Sequence, residues 1–223
     1  GIKNYTSMNK LFKIARNDIN PLEFISFFKD EPVDFNPGEE YKYNNSGYAI
    51  LGYIIEKTSG LSYADYVQQN IFNKLNMKNS LYASHSKVIK NRASGYHNRI
   101  GYQNAMYISF SLPYAAGSLM TSIDDLNLWQ QALSNNLLLK KETLQKAYTN
   151  YTLNNGEKVN YGYGWNIKTI NNEVSYEHGD SIFGFKSMGI YIPSKDVYVV
   201  MLTNCDCISP TQLTRDITKI ILE

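Results

Sequence analysis

Two apolar runs, Gly184 to Tyr191 and Val197 to Thr203, flank Pro193-Ser194-Lys195-Asp196, and this pattern constrains the fold more than any other. β-Branched and aromatic residues on both sides of a four-residue turn cluster predict two antiparallel strands joined as a hairpin. Tyr161 to Ile170 and Val174 to Glu177 read as earlier strands, and Pro210 to Leu222 as a closing amphipathic helix. The first half has helical periodicity instead. Pro21 to Lys29 opens with proline in its first turn, Ser46 to Ser59 ends at Gly60, and Ser62 caps a further helix. Another helix starts at Thr121-Ser122-Ile123-Asp124-Asp125, with acids in its first turn. Helices followed by an antiparallel meander and a terminal helix predict an α+β fold. It is read as one domain over 1–223, with a mainly helical layer over 1–150 and strands plus the last helix over 151–223.

The chain has 223 residues, 43% hydrophobic and 19% charged, which suits a globule with an ordinary core and excludes disorder. Its 22 Lys and Arg against 20 Asp and Glu leave a net charge of +2, too little for a dedicated nucleic-acid binder. No apolar run approaches the ~20 residues of a membrane-spanning helix. The opening Gly1-Ile2-Lys3-Asn4-Tyr5 is neither a signal peptide nor an initiator Met, and reads as a processed, engineered or truncated start. Cys205 and Cys207 follow an apolar run. Residues at i and i+2 of a strand face opposite ways, so the two are expected as unpaired structural thiols.

Several short patterns offer chemistry. Ser-x-x-Lys occurs at Ser7-Met8-Asn9-Lys10 and at Ser84-His85-Ser86-Lys87, but neither opens the long apolar helix that would hold a nucleophile rigidly. Both read as solvated serine and lysine. Tyr43-Asn44-Asn45 follows a Pro-Gly turn and precedes a helix, where a tyrosine beside cations could shuttle protons and an amide could orient a carbonyl. The plainer reading is a turn tyrosine and a capping asparagine. His178-Gly179-Asp180-Ser181 stands at a strand end ahead of Gly184, where glycine admits a substrate to the backbone and an exposed N–H can serve an oxyanion. His85 and His97 receive no role. No His-x-x-x-His, Cys-x-x-Cys or acid-rich metal loop is present.

Taken together, these segments resemble the penicillin-recognising serine hydrolases: class C β-lactamases, D-alanyl-D-alanine carboxypeptidases and related esterases. The likeness rests on Phe35 to Glu56 with its Tyr43-Asn44-Asn45, on Ser59-Gly60-Leu61-Ser62-Tyr63 and Ile71 to Met77, and on Ala115 to Leu119 with Asp124-Asp125-Leu126. Tyr161-Gly162-Tyr163-Gly164-Trp165, and His178-Gly179 with Gly184-Phe185, continue it to the end of the chain. The resemblance implies a β-lactamase/transpeptidase-like fold and an acyl-enzyme mechanism without a cofactor. Tyr43 would be the general base and later the acid. Asn45 would contact the substrate amide, His178 would stand in the third motif, and Ser181 would offer its N–H to an oxyanion. Substrates would be a β-lactam, a D-Ala-type peptide of the peptidoglycan kind, or an ester, in an extracytoplasmic setting.

Two departures from the family pattern stand out. Asp180 replaces the glycine usual in relatives of the His type, so that Gly179, Asp180 and Ser181 would line the substrate strand with a carboxylate that crowds it. The family's own Ser-x-x-Lys lies upstream of the segment matching Gly1, so the nucleophile is expected outside these residues and the chain alone is expected to be inactive. The N-terminal helix and first strands of the fold would be missing too, leaving the edge at Val197 to Thr203 to pair with that N-terminal portion or with a second copy. The alternative expectation is a catalytically inactive binding or regulatory module that keeps the fold.

Overall fold

The computed structural model describes residues 1–223, which gather into two compact units. The first comprises 1–90, 107–122 and 153–155, and the second 91–106, 123–152 and 156–223. The helical stretch that begins at Ile123 is grouped with the strands.

In the first unit, helices α1 (Leu11–Ile14), α2 (Pro21–Ser26), α3 (Asn45–Ser59) and α4 (Tyr63–Val67) surround an aromatic centre. Asn20 closes a capping box with Glu23 ahead of Pro21. The helix ends at Ser26, short of the expected Lys29, and the chain continues through residues 27–30 as a turn. Tyr5, Phe24 and Phe28 are buried together, with the Tyr5 and Phe24 rings edge-to-face at 4.7 Å. Such pairs add to the area they bury. Asp34 fixes the start of the chain to the turn before α3: it accepts Lys3 Nζ at 2.8 Å and Lys42 Nζ at 2.7 Å. The hydrogen bond from Lys3, then that from Lys42, hold its carboxyl down to about 2. A depressed carboxylate stabilises the fold above its unfolded value, so that contribution should be lost as pH falls from about 4 towards 2. Thermal midpoints measured over that range should fall more steeply for the wild type than for Asp34→Asn.

In the second unit, helices α5 (Ile123–Ser134) and α6 (Lys141–Ala147) precede a four-stranded sheet of β1 (Asn166–Ile170), β2 (Glu173–Ile182), β3 (Phe185–Ile192) and β4 (Val197–Thr203), and α7 (Pro210–Ile221) follows it. The sheet runs in the order β4-β3-β2-β1 and every pairing is antiparallel. The β3–β4 hairpin turns through Pro193 to Asp196 as its sequence predicts. Met188, Ile190 and Ile192 point inward with Ile170 to form the core, covered in part by Leu222.

Two boundaries differ from the sequence reading. Residues 162–165 form a turn, closed by the Gly162 N–H on the Trp165 carbonyl, so β1 begins at Asn166 rather than Tyr161. Strand β2 continues to Ile182, well past Glu177. The expectation of free thiols is also corrected: Cys205 and Cys207 are disulfide-bonded. Side chains alternate between faces only on a strand, but β4 ends at Thr203 and the chain then turns, bringing the two Cα atoms to 5.2 Å.

Candidate active site

Tyr43 and Asn45 come together at the start of α3, in the first unit. Asn44, extended in backbone, is the cap residue, and its side chain accepts the Gly47 N–H at 3.0 Å while donating to the Ile2 carbonyl. Asn45 is the first helical residue and half-buried, and Tyr43 is exposed. Ser46, which the sequence reading passed over, anchors this corner. It is fully buried, its Oγ donates to the Lys3 carbonyl at 2.8 Å, and it accepts the Tyr5 N–H at 2.8 Å. A serine at a helix start gives no warning of such a task, because both partners lie more than 40 residues away. Ser46→Ala would strand a buried backbone donor and acceptor. A loss of about 1–3 kcal/mol in urea unfolding is expected.

The expected cation beside Tyr43 is engaged elsewhere, since Lys42 is bound to Asp34. Neither Ser-x-x-Lys pattern assembles a nucleophile. Ser7 Oγ bonds the Asn4 carbonyl and Lys10 pairs with Glu31, while Ser84 Oγ accepts the Lys87 N–H in a local turn. His85 lies between the rings of Tyr107 and Phe110, with Nε2 on the Ile108 carbonyl.

His178, Gly179, Asp180 and Ser181 follow one another along β2, in the second unit. They do not terminate the strand. Strand β1 pairs only with residues 173–177, so 178–182 pair with β3 alone and form an open edge. The twofold alternation of a strand sorts their side chains. Ser175, Glu177 and Gly179 face α7, and Tyr176, His178 and Asp180 face the other way, where Tyr176 stacks on Tyr148 at 4.0 Å.

His178 Nδ1 donates to the Gly164 carbonyl, the turn that displaced the start of β1. A carbonyl can only accept, so Nδ1 carries a proton in this bond. Gly179 lacks a side chain for reasons of packing: a Cβ there would lie 2.9 Å from Met188 Sδ and 3.1 Å from the Ser187 carbonyl. Gly184, in the tight turn between β2 and β3, has φ of +78° and a backbone that meets Tyr96 and Ala105.

Ser181 was expected to present its N–H to an oxyanion. Instead, Asp180 Oδ1 accepts that N–H at 2.7 Å. Desolvation pushes the Asp180 carboxyl above the usual carboxylate range, against the opposing pull of the Ser181 N–H and of His178, although the residue as a whole keeps solvent contact. On the α7 side a cavity of about 380 Å³ is lined by Glu177, Gly179, Ser181, Lys186, Met188 and Thr211. Glu177 is fully buried there, its Oε1 bound by Arg215 of α7 and by Ser175 Oγ. No group of three or more His, Cys, Asp or Glu side chains converges as a metal site would require.

The Beta-lactamase family matches residues 1–214. The chain belongs to the beta-lactamase family. The human mitochondrial serine beta-lactamase-like protein LACTB is 29% identical over 168 residues, which are 66% of this chain and 30% of that protein. A D-aminopeptidase of Gluconobacter oxydans is 23% identical over 175 residues, 77% of this chain and 33% of its own. The octameric penicillin-binding protein homologue of Pyrococcus abyssi superposes with a TM-score of 0.79 at 30% identity, covering 91% of this chain and 48% of that one. This member thus spans about a third of the length of the curated relatives it matches. Its α+β architecture is that of β-lactamase and penicillin-binding-protein folds.

Proposed function

We propose that this chain carries the proton-transfer and substrate-strand parts of a serine acyl-transfer site, with the nucleophilic serine supplied from outside the 223 residues. The serine oxygen would attack the carbonyl carbon of a β-lactam, a D-amino-acid amide or peptide, or an ester. Tyr43 would take the hydroxyl proton and return it to the departing nitrogen or oxygen, and water would later release the acyl group. Asn45 would orient the acyl amide, and His178 would stand beside the substrate as the third-motif residue on β2. The observation that carries this reading is the edge of β2 past residue 177, where pairing with β1 stops while pairing with β3 continues to Ile182, the kind of strand edge an extended substrate can join.

The proposal extends to assembly and place. Leu213, Ile217 and Ile220 leave an apolar stripe exposed along α7, and β4 is an edge strand. The N-terminal portion of the parent protein would cover them, in an extracytoplasmic setting.

A second reading, an inactive binding or regulatory module, is favoured by one observation: the Asp180 carboxylate sits on the Ser181 N–H. Assays of the full-length gene product with a p-nitrophenyl ester and a D-amino-acid p-nitroanilide separate the two. Turnover that rises about 10²-fold or more in Asp180→Gly, the scale of one oxyanion donor, supports the enzyme. No turnover by the wild type or by Asp180→Gly sinks it.

A further inference from the structure

We infer that Cys207 is a site of thiol exchange, at which a low-molecular-weight thiol opens the Cys205–Cys207 disulfide and loosens the turn that holds the Gly184 end of the site strand. Cys205 is buried, whereas Cys207 is exposed, so an incoming thiolate reaches the sulfur of Cys207. Attack there forms one new S–S bond to Cys207 and expels Cys205 as a thiolate. A second thiol molecule takes the bound one away as a symmetrical disulfide and leaves Cys207 reduced. Two electrons pass from two thiols to the protein. The bond closes a very short loop, with a single residue between its cysteines. Loop closure that short constrains the unfolded chain little, so the effect of this bond is local.

What it holds locally is the residue between the two sulfurs. The Asp206 N–H donates to the Tyr96 carbonyl at 3.2 Å, and the Asp206 carbonyl accepts Lys186 Nζ at 2.6 Å. Its carboxylate pairs with His97 Nδ1. The other nitrogen of His97, Nε2, accepts the Met106 N–H at 3.3 Å. Both ring nitrogens are therefore committed, and His97 acts as a strut between the turn and the loop at Met106 rather than as a base. Tyr96 also donates to the Asn204 carbonyl at 2.9 Å and bridges Cys205. Lys186 lies directly opposite Ser181 in the β2–β3 register. Opening the disulfide returns backbone freedom to residues 205–207 and weakens the bonds that converge on Asp206. The freedom passes to Tyr96, His97 and Lys186, and through Lys186 to the strand pair at Ser181. The inference holds whatever acyl group the site takes.

The test uses the full-length gene product, folded, first in its air-oxidised state and then with reduced glutathione at neutral pH. Samples are quenched in acid and mapped by mass spectrometry. One glutathionyl group on Cys207 is expected, with none anywhere in Cys207→Ser. In parallel, amide hydrogen exchange at Tyr96 and Asp206 should quicken about tenfold on reduction of the wild type, while Ile190 and Ile192 stay unchanged. Free thiols in the air-oxidised protein would overturn the inference, as would an adduct on Cys205 or a disulfide that yields only when the chain unfolds. So would exchange at Tyr96 and Asp206 that is indifferent to complete reduction. Because the wild type supplies both readouts, a poorly folding variant does not rescue the idea.

Discussion

Tyr43→Phe in the full-length protein should slow acylation by about 10²–10⁴, the usual range for losing a general base. The substitution removes one oxygen from an exposed ring at the entry to α3, so it should leave folding nearly intact. The cap at Asn44 and the Ser46 bonds that position the corner do not involve the phenol oxygen. A matched loss in kcat and kcat/KM is therefore expected, since the oxygen is used in the transition state rather than in holding the ground state. The burst of nitrophenol from an ester substrate, followed by stopped flow, measures the acylation step itself. An unchanged burst rate would remove Tyr43 from the chemistry.

The second large effect concerns stability. Glu177 is fully buried one residue before His178, and its charge is met by Arg215 at Oε1, with Lys168 3.9 Å from Oε2. Arg215 also donates to the Thr169 carbonyl, tying α7 to β1 and β2 together. Cutting Arg215 to alanine leaves a carboxylate in a buried place with the Ser175 hydroxyl and a distant ammonium as its partners. Removing one partner of a buried pair commonly costs about 3–5 kcal/mol, most of it from the charge left behind. Arg215→Ala should lose stability on that scale in urea unfolding. The double variant Glu177→Gln/Arg215→Ala should recover much of it, because the stranded charge is gone. If the double variant is no better than Arg215→Ala, the loss comes from the arginine's packing and not from the buried charge.

The order of elements was largely legible in the sequence. The β3–β4 hairpin and α7 were read nearly to the residue, because alternating apolar residues around a turn cluster and a helical stripe after Pro210 admit little else. The length of β2 was not, because Glu177, Gly179 and Asp180 look unlike strand residues. Glu177 is tolerated inside by Arg215, and Gly179 is needed beside Met188, and neither partner is visible from local sequence. The cysteine pair was misread for a related reason: a rule that holds on a strand was carried past Thr203 into a turn.

For the site, Tyr43-Asn44-Asn45 and His178 to Ser181 were found as segments, and the division of labour within them was not. Asn44, not Asn45, caps the helix, and Ser46 ties the corner to residues 3 and 5. The Ser181 N–H faces a carboxylate from its own neighbour. Such contacts depend on backbone direction, which residue type alone does not encode.

Trapping the acyl-enzyme tests most directly whether this chain completes a serine acyl-transfer site. The full-length gene product would be incubated with a fluorescent penicillin and separately with a p-nitrophenyl ester, and any adduct located by peptide mass spectrometry. A covalent adduct is expected on a serine outside these 223 residues, followed three residues later by a lysine. An adduct on Ser7 or Ser84, or none with either reagent, would contradict it.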